Sequence, residues 1–124
     1  MLAIEFGMGT FNDPQSEQTV FMAVAAKSEY TDRMDFVKAA LEKYTFGDPE
    51  WYEELISKIL LQPAKKDDVE FCIYGAVERI NKKVSLDLGD ACDFEELFPV
   101  EWNDACFVFE CGGMYCFYNW NTTA

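Results

Sequence analysis

Histidine is absent from the 124 residues, and cations are scarce: ten lysines and arginines stand against 23 aspartates and glutamates, a formal charge of −13. Each shortage removes a class of function. Without imidazole, no side chain has an ordinary pKa suited to accepting a proton near neutral pH, so Ser–His and Cys–His nucleophilic systems cannot be assembled. Without a cationic surplus, phosphate backbones and anionic lipid are repelled, which disfavours direct contact with nucleic acid or membrane. No apolar run approaches the roughly 20 residues of a spanning helix. No CxxC pair, SxxK, GxSxG or P-loop spacing occurs. The Gly7-Met8-Gly9 stretch lacks the third glycine of a dinucleotide turn and reads as a strand-end bend.

The cysteine count is odd, with Cys72, Cys92, Cys106, Cys111 and Cys116. The spacing from Cys106 to Cys116 does not supply the close pairs or histidines of a tetrahedral zinc site, so free, largely buried thiols are expected. The opening MLAIEFGMGT lacks the basic stretch and long apolar core of a signal peptide, which places the expected location in the cytoplasm. Asn121-Thr122-Thr123 matches a glycosylation sequon and is read as a chance match in that setting.

What is abundant is negative charge, and it is uneven. Residues 84–124 carry eight acidic groups (Asp87, Asp90, Asp93, Glu95, Glu96, Glu101, Asp104, Glu110) and no basic one, whereas residues 1–83 carry 15 acidic and ten basic. A field of this kind steers a basic partner and raises its association rate in a salt-sensitive way; it also keeps a small protein soluble, the plainer explanation.

Periodicity organises the rest. Leu2, Ile4, Phe6 and Met8 alternate as in a half-buried strand, turn residues gather between Gly9 and Ser16, and Gln18–Ala26 reads as a second strand buried on both faces. From about Thr31 to Tyr44 the period becomes helical, with Met34, Val37, Ala40, Leu41 and Tyr44 on one face, Thr31 or Asp32 as N-cap and Gly47 as terminator. Asp48-Pro49 starts a second helix that continues through Trp51, Leu55, Ile56, Ile59 and Leu60 until Pro63. A third helix is expected from Asp67 or Asp68 to about Lys82, although the run Val69 to Tyr74 followed by Gly75 also suits a strand. Beyond it lies an acidic irregular region in which residues 93–98 could form one capped helical turn. At the end, residues 105–111 and 114–120 flank Gly112-Gly113 as a hairpin on a two-residue type I′ turn, pairing Phe109 with Cys116, Phe107 with Tyr118 and Cys111 with Met114.

These elements predict one domain over residues 1–124 of α+β class: an antiparallel sheet of about four strands, the N-terminal pair plus the Gly-Gly hairpin, with about three helices packed on one face. One hairpin face is wholly apolar; the other, with Cys106, Val108, Glu110, Tyr115, Phe117 and Asn119, is amphipathic.

Three functional classes survive. The first is a small acidic, non-enzymatic inhibitor of anti-defence or immunity type, which presents carboxylates to a basic, nucleic-acid-binding protein such as a nuclease and blocks its site by charge mimicry. Its contacts would be Asp87, Asp90, Asp93, Glu95, Glu96, Glu101 and Asp104, with Trp102 and Tyr115 as apolar anchors. The second is a structural or adaptor module that oligomerises, or adds a strand, through the amphipathic C-terminal hairpin. The third is a carboxylate enzyme, alone or with a divalent cation on Asp87-x-x-Asp90-x-x-Asp93, a spacing that does not match an EF-hand loop. Glu50, Glu53 and Glu54 are a weaker acid–base candidate, since negative charge in a first helical turn is accounted for by the helix dipole. The first class is preferred, with no catalytic residue, cofactor or metal expected.

Overall fold

Strand β1 (Leu2–Phe6) runs antiparallel to β2 (Gln18–Ala26), and β2 pairs next with the last strand of the chain rather than with its sequence neighbour. The computed structural model describes residues 1–123. After a 3-10 turn at Lys27–Glu29 come helix α1 (Arg33–Tyr44), helix α2 (Pro49–Ser57), the two-residue strand β3 (Gln62–Pro63), helix α3 (Lys66–Val77), and strands β4 (Ala91–Glu96), β5 (Asp104–Cys111) and β6 (Met114–Thr122). The six strands form one antiparallel sheet in the order β1-β2-β6-β5-β4-β3.

The hairpin β5–β6 has the register expected from its glycines. Phe109 lies opposite Cys116, Phe107 opposite Tyr118 and Cys111 opposite Met114. Gly112 (φ 56°) and Gly113 (φ 79°) both take the left-handed region that a type I′ turn demands.

Helix starts follow local chemistry. The Asp32 carboxylate accepts the Asp35 amide at 2.9 Å, and the Asp48 carboxylate accepts those of Glu50 (3.1 Å) and Trp51 (3.3 Å), with Pro49 entering at the first turn. Residues 66–77 are helical, which resolves the helix-or-strand ambiguity there in favour of helix. Helix α2 stops at Ser57, well short of Pro63, and residues 62–63 join the sheet edge instead.

Three expectations are corrected. The sheet has six strands, not about four, because β4 and β3 extend it past the hairpin. Residues 91–96 form strand β4 and not a helical turn; a bulge between Cys92 and Glu95 puts Asp93 at φ 56°. Helices cover both faces rather than one. Phe36, Val37, Ala40 and Leu41 of α1 pack on Phe21, Ala23, Ala25, Cys106, Val108, Tyr115 and Phe117, while Val69, Ile73, Ala76 and Val77 of α3 pack on Val20, Phe107, Phe109, Cys116 and Tyr118. The physical reason lies in the strands themselves. Both faces of β2, β5 and β6 are largely apolar, and each large side chain removed from water contributes about 1.5–3 kcal/mol, so a second helical layer is favoured.

The first strand also departs from expectation. Of the alternating set, Phe6 is buried, but Leu2 and Ile4 are exposed on β1, the sheet edge, and Met8, in the turn beyond the strand, is exposed as well. At the opposite edge β3 is two residues long and ends in proline, which cannot donate to a further strand.

Candidate acidic interface and an adjoining cavity

The acidic residues of the C-terminal third do not form one surface. Along β5 the side chains alternate, so Glu110 and Asp104 share the α1 face with Cys106 and Val108. In β4, Glu95 lies opposite Val108 on that face, while Glu96 lies opposite Phe107 on the α3 face. Asp87 and Asp90 belong to the loop after α3, where Asp87 Oδ1 accepts the Gly89 amide at 2.8 Å.

Two of these carboxylates are neutralised by cations from the helical side. Arg33, in the first turn of α1, donates from Nη1 to Glu95 Oε1 and from Nη2 to Glu110 Oε2, both at 2.7 Å, and also to the Asp93 carbonyl at 2.6 Å. Lys27 pairs with Glu110 as well, and its ammonium sits 5.6 Å from the centre of the Tyr115 ring. The Lys27 hydrogen bond, followed by that of Arg33, holds the Glu110 carboxyl below its ordinary pKa despite partial burial. Glu95 and Glu110 therefore brace the fold and offer little free potential.

Of the two aromatic anchors, only one is at the surface. Trp102 is 73% exposed, but Tyr115 is 7% exposed, its ring stacked on Phe36 at 5.4 Å beneath α1. The contact role expected of Tyr115 is thus corrected to a core role. The hairpin face that carries it is covered, and β5 and β6 are each paired on both sides, so neither offers a free edge for strand addition.

Among the described residues, Asp87, Asp90, Asp93, Glu96 and Glu101 have no basic ion-pair partner. Across the described residues, ion pairs engage five of the 23 carboxylate side chains, those of Glu29, Glu54, Glu70, Glu95 and Glu110. Among the described residues no group of three or more acidic, cysteine or histidine side chains converges as metal ligands, so Asp87, Asp90 and Asp93 do not form a cage.

Glu101 and Asp104 meet at a place that sequence reading did not find. They help line a cavity of about 300 Å³ between the end of α1, helix α2 and the sheet, together with Tyr44, Trp51, Leu55, Phe98, Asn103, Asn119 and Asn121. Local structure explains the grouping. The backbones of Glu101 and Asp104 bond each other across a tight turn (2.9 Å from the Glu101 amide to the Asp104 carbonyl), and Asp104 lies opposite Asn121 in the sheet. Asn119 and Asn121, two apart on β6, point the same way.

These polar groups form a chain. Asn121 donates from Nδ2 to the Tyr44 hydroxyl (3.1 Å) and to Asn119 Oδ1 (3.0 Å), and Asn119 donates from Nδ2 to Asp104 Oδ1 (3.0 Å). Desolvation raises the Asp104 pKa, the Asn119 bond opposes this, and the Glu101 charge adds to it. Burial likewise pushes the Tyr44 hydroxyl up, with Asp104 contributing. None of the described residues lining the cavity is basic. Lys58, on a neighbouring groove that shares Leu55, Phe98, Glu101 and Asp104, is paired with Glu54 at 2.9 Å. No helix among the described residues is long and apolar enough to cross a membrane.

Compared with protein-family models, curated proteins and solved structures, the chain matches none.

Proposed function

We propose that this protein is a small acidic, non-enzymatic inhibitor that binds a basic protein, of the kind that itself binds nucleic acid, and occupies its site by charge mimicry. The observation that carries the reading is the low degree of internal neutralisation, five ion-paired carboxylate side chains among the 23 across the described residues, with most of the others exposed. Such a field accelerates encounter with a cationic cleft and weakens as salt screens it. Glu95, held by Arg33, and the buried Tyr115 drop out of the expected contacts; Asp87, Asp90, Asp93, Glu96, Glu101, Trp102 and Asp104 stay as contact candidates, spread over more than one face. A cytoplasmic setting accords with five free thiols.

The test is a salt-resolved association measurement. Proteins retained on the immobilised chain at about 50 mM salt are eluted by a gradient, identified, and their on-rates remeasured against wild type and the triple variant D87K/D90K/E101K. The expected result is a basic nucleic-acid-binding protein, competed off by duplex DNA, whose on-rate falls at least about tenfold with the variant and steeply with salt. Binding that ignores both salt and the reversed charges overturns the proposal.

A further inference from the structure

The cavity beside Glu101 and Asp104 has more chemical definition than a diffuse acidic surface requires. Its polar side is rich in acceptors: the half-buried Asp104 carboxylate, the exposed Glu101 carboxylate and Asn103. The Asn103 Oδ1 atom is shut off from solvent and has no hydrogen-bond partner among the described residues. Its apolar side is aromatic, with Tyr44 and Trp51 in ring contact at 5.3 Å and Phe98 lining the same space.

A ligand complementary to this arrangement carries several donors, a positive charge and a flat face. Guanidinium has all three: five N–H donors in a fixed fork, a permanent charge and a planar surface that stacks on indole or phenol rings. Ammonium has the charge but no face, and a neutral sugar has the donors but would leave two carboxylates of like charge uncompensated. The volume, about 300 Å³, is at the small end of ligand cavities and suits one inserted side chain better than a larger free metabolite.

We propose that this cavity receives a single arginine side chain of the basic partner, held by Asp104 and Glu101 and stacked against Trp51. The inference rests on the inhibitor reading, and it turns a general electrostatic attraction into a specific anchor. The paired cation Lys58 lies outside the cavity lining, so the site is left to a residue from another molecule. Asp104 is the group that gains most: it is partly desolvated, and its one side-chain partner is a neutral amide.

The probe is the capped tripeptide Ac-Gly-Arg-Gly-NH2, titrated into the 15N-labelled full chain, with the citrulline analogue as a neutral isostere and the lysine analogue as a cation without a plane. Arginine peptide is expected to bind with millimolar affinity and to shift the Trp51 indole and the Asn119 and Asn121 side-chain amides. Lysine peptide should bind at least several-fold more weakly, and citrulline peptide should not bind. Asp104→Asn keeps the size and the Asn119 contact yet should weaken arginine binding about tenfold; Glu101→Gln, at an exposed position, is a second variant that leaves the core untouched, and the dispersion of the spectrum shows that each variant is folded. Equal binding of the citrulline peptide, or shifts scattered outside the cavity, overturns the proposal. The two readings fail separately. A salt-sensitive basic partner whose affinity ignores Asp104→Asn and Trp51→Ala sinks the arginine anchor alone, whereas arginine-peptide binding in the cavity without any salt-sensitive protein partner sinks charge mimicry alone.

Discussion

Arg33 and Glu110 meet across the junction of α1 and the sheet, Nη2 to Oε2 at 2.7 Å, and the same guanidinium reaches Glu95 and the carbonyl of the bulge residue Asp93. One side chain thus ties α1 to β5, to β4 and to the irregularity between them. Replacing Arg33 by methionine keeps the stem and leaves Glu95 and Glu110 sharing a site without it. The expected loss is about 1–2 kcal/mol of unfolding free energy, read by urea denaturation. Arg33→Lys should recover only part of this, because a point charge cannot bridge three acceptors as a fork does.

Two carboxylates should move the pH dependence of stability in opposite directions. The Glu110 pKa lies below its ordinary value in the folded chain, so the stabilisation it provides is present above the unfolded carboxylate pKa and disappears as pH falls through the folded one. The Asp104 pKa is raised, so its charged form works against folding, and stability falls as pH rises from the unfolded pKa through the folded one. Thermal melts between about pH 3 and pH 7 are expected to show a shallower acid limb for Glu110→Gln. Asp104→Asn should be at least as stable as wild type at neutral pH, with the difference closing as the solution is acidified. A binding residue whose removal does not destabilise the fold is the pattern expected where affinity and stability are in conflict.

The hairpin turn makes a stringent backbone demand. Gly112 and Gly113 have φ of 56° and 79°, where a side chain on Cα costs about 1–2 kcal/mol. Gly112→Ala and Gly113→Ala are each expected to lower stability by about that amount in chemical denaturation. A Cβ at either position meets nothing within 4 Å, so the penalty is one of backbone conformation rather than collision.

Phe46 presents the reverse case. It follows α1 at φ 53° with 77% of its surface exposed, so it bears the left-handed cost while burying little. Phe46→Gly should raise stability by about 0.5–1 kcal/mol, the relief of strain exceeding the extra chain entropy of glycine. A drop in melting temperature would show that the ring makes contacts worth more than the strain.

The elements that were legible in sequence are those whose signals are local. Asp32 and Asp48 cap the helices they precede, and two adjacent glycines fix the register of β5 and β6. Elements set by distant partners were not legible. Residues 91–96 hold three acidic groups and only two apolar ones that become fully buried, too weak an alternation to announce a strand, and their pairing comes from β5 and from a bulge. The second helical layer was hidden because Glu110 and Asn119 gave one hairpin face a polar look. Glu110 is satisfied by Arg33 and Lys27, and Asn119 by Asp104, so that face packs beneath α1 all the same. The cavity draws on α1, α2, the turn before β5, and β5 and β6. No spacing in one segment could reveal it, although the alternation Asn119, Asn121 placed two amides on one side of a strand.

The pairing of β2 with β6 sets an order of events during synthesis. Residues 18–26 find one flanking strand early, in residues 2–6, but the other lies in residues 114–122, roughly a hundred positions later. Until that last segment leaves the ribosome, Val20, Phe21 and Ala23 lack a neighbour on one side, and helix α1 has only part of its seat. Closing so long a loop is slow, and a nascent chain held in that state exposes an unpaired, apolar strand. The β1–β2 pair can therefore form from local chain, whereas the β2–β6 pair must wait for a segment far along it.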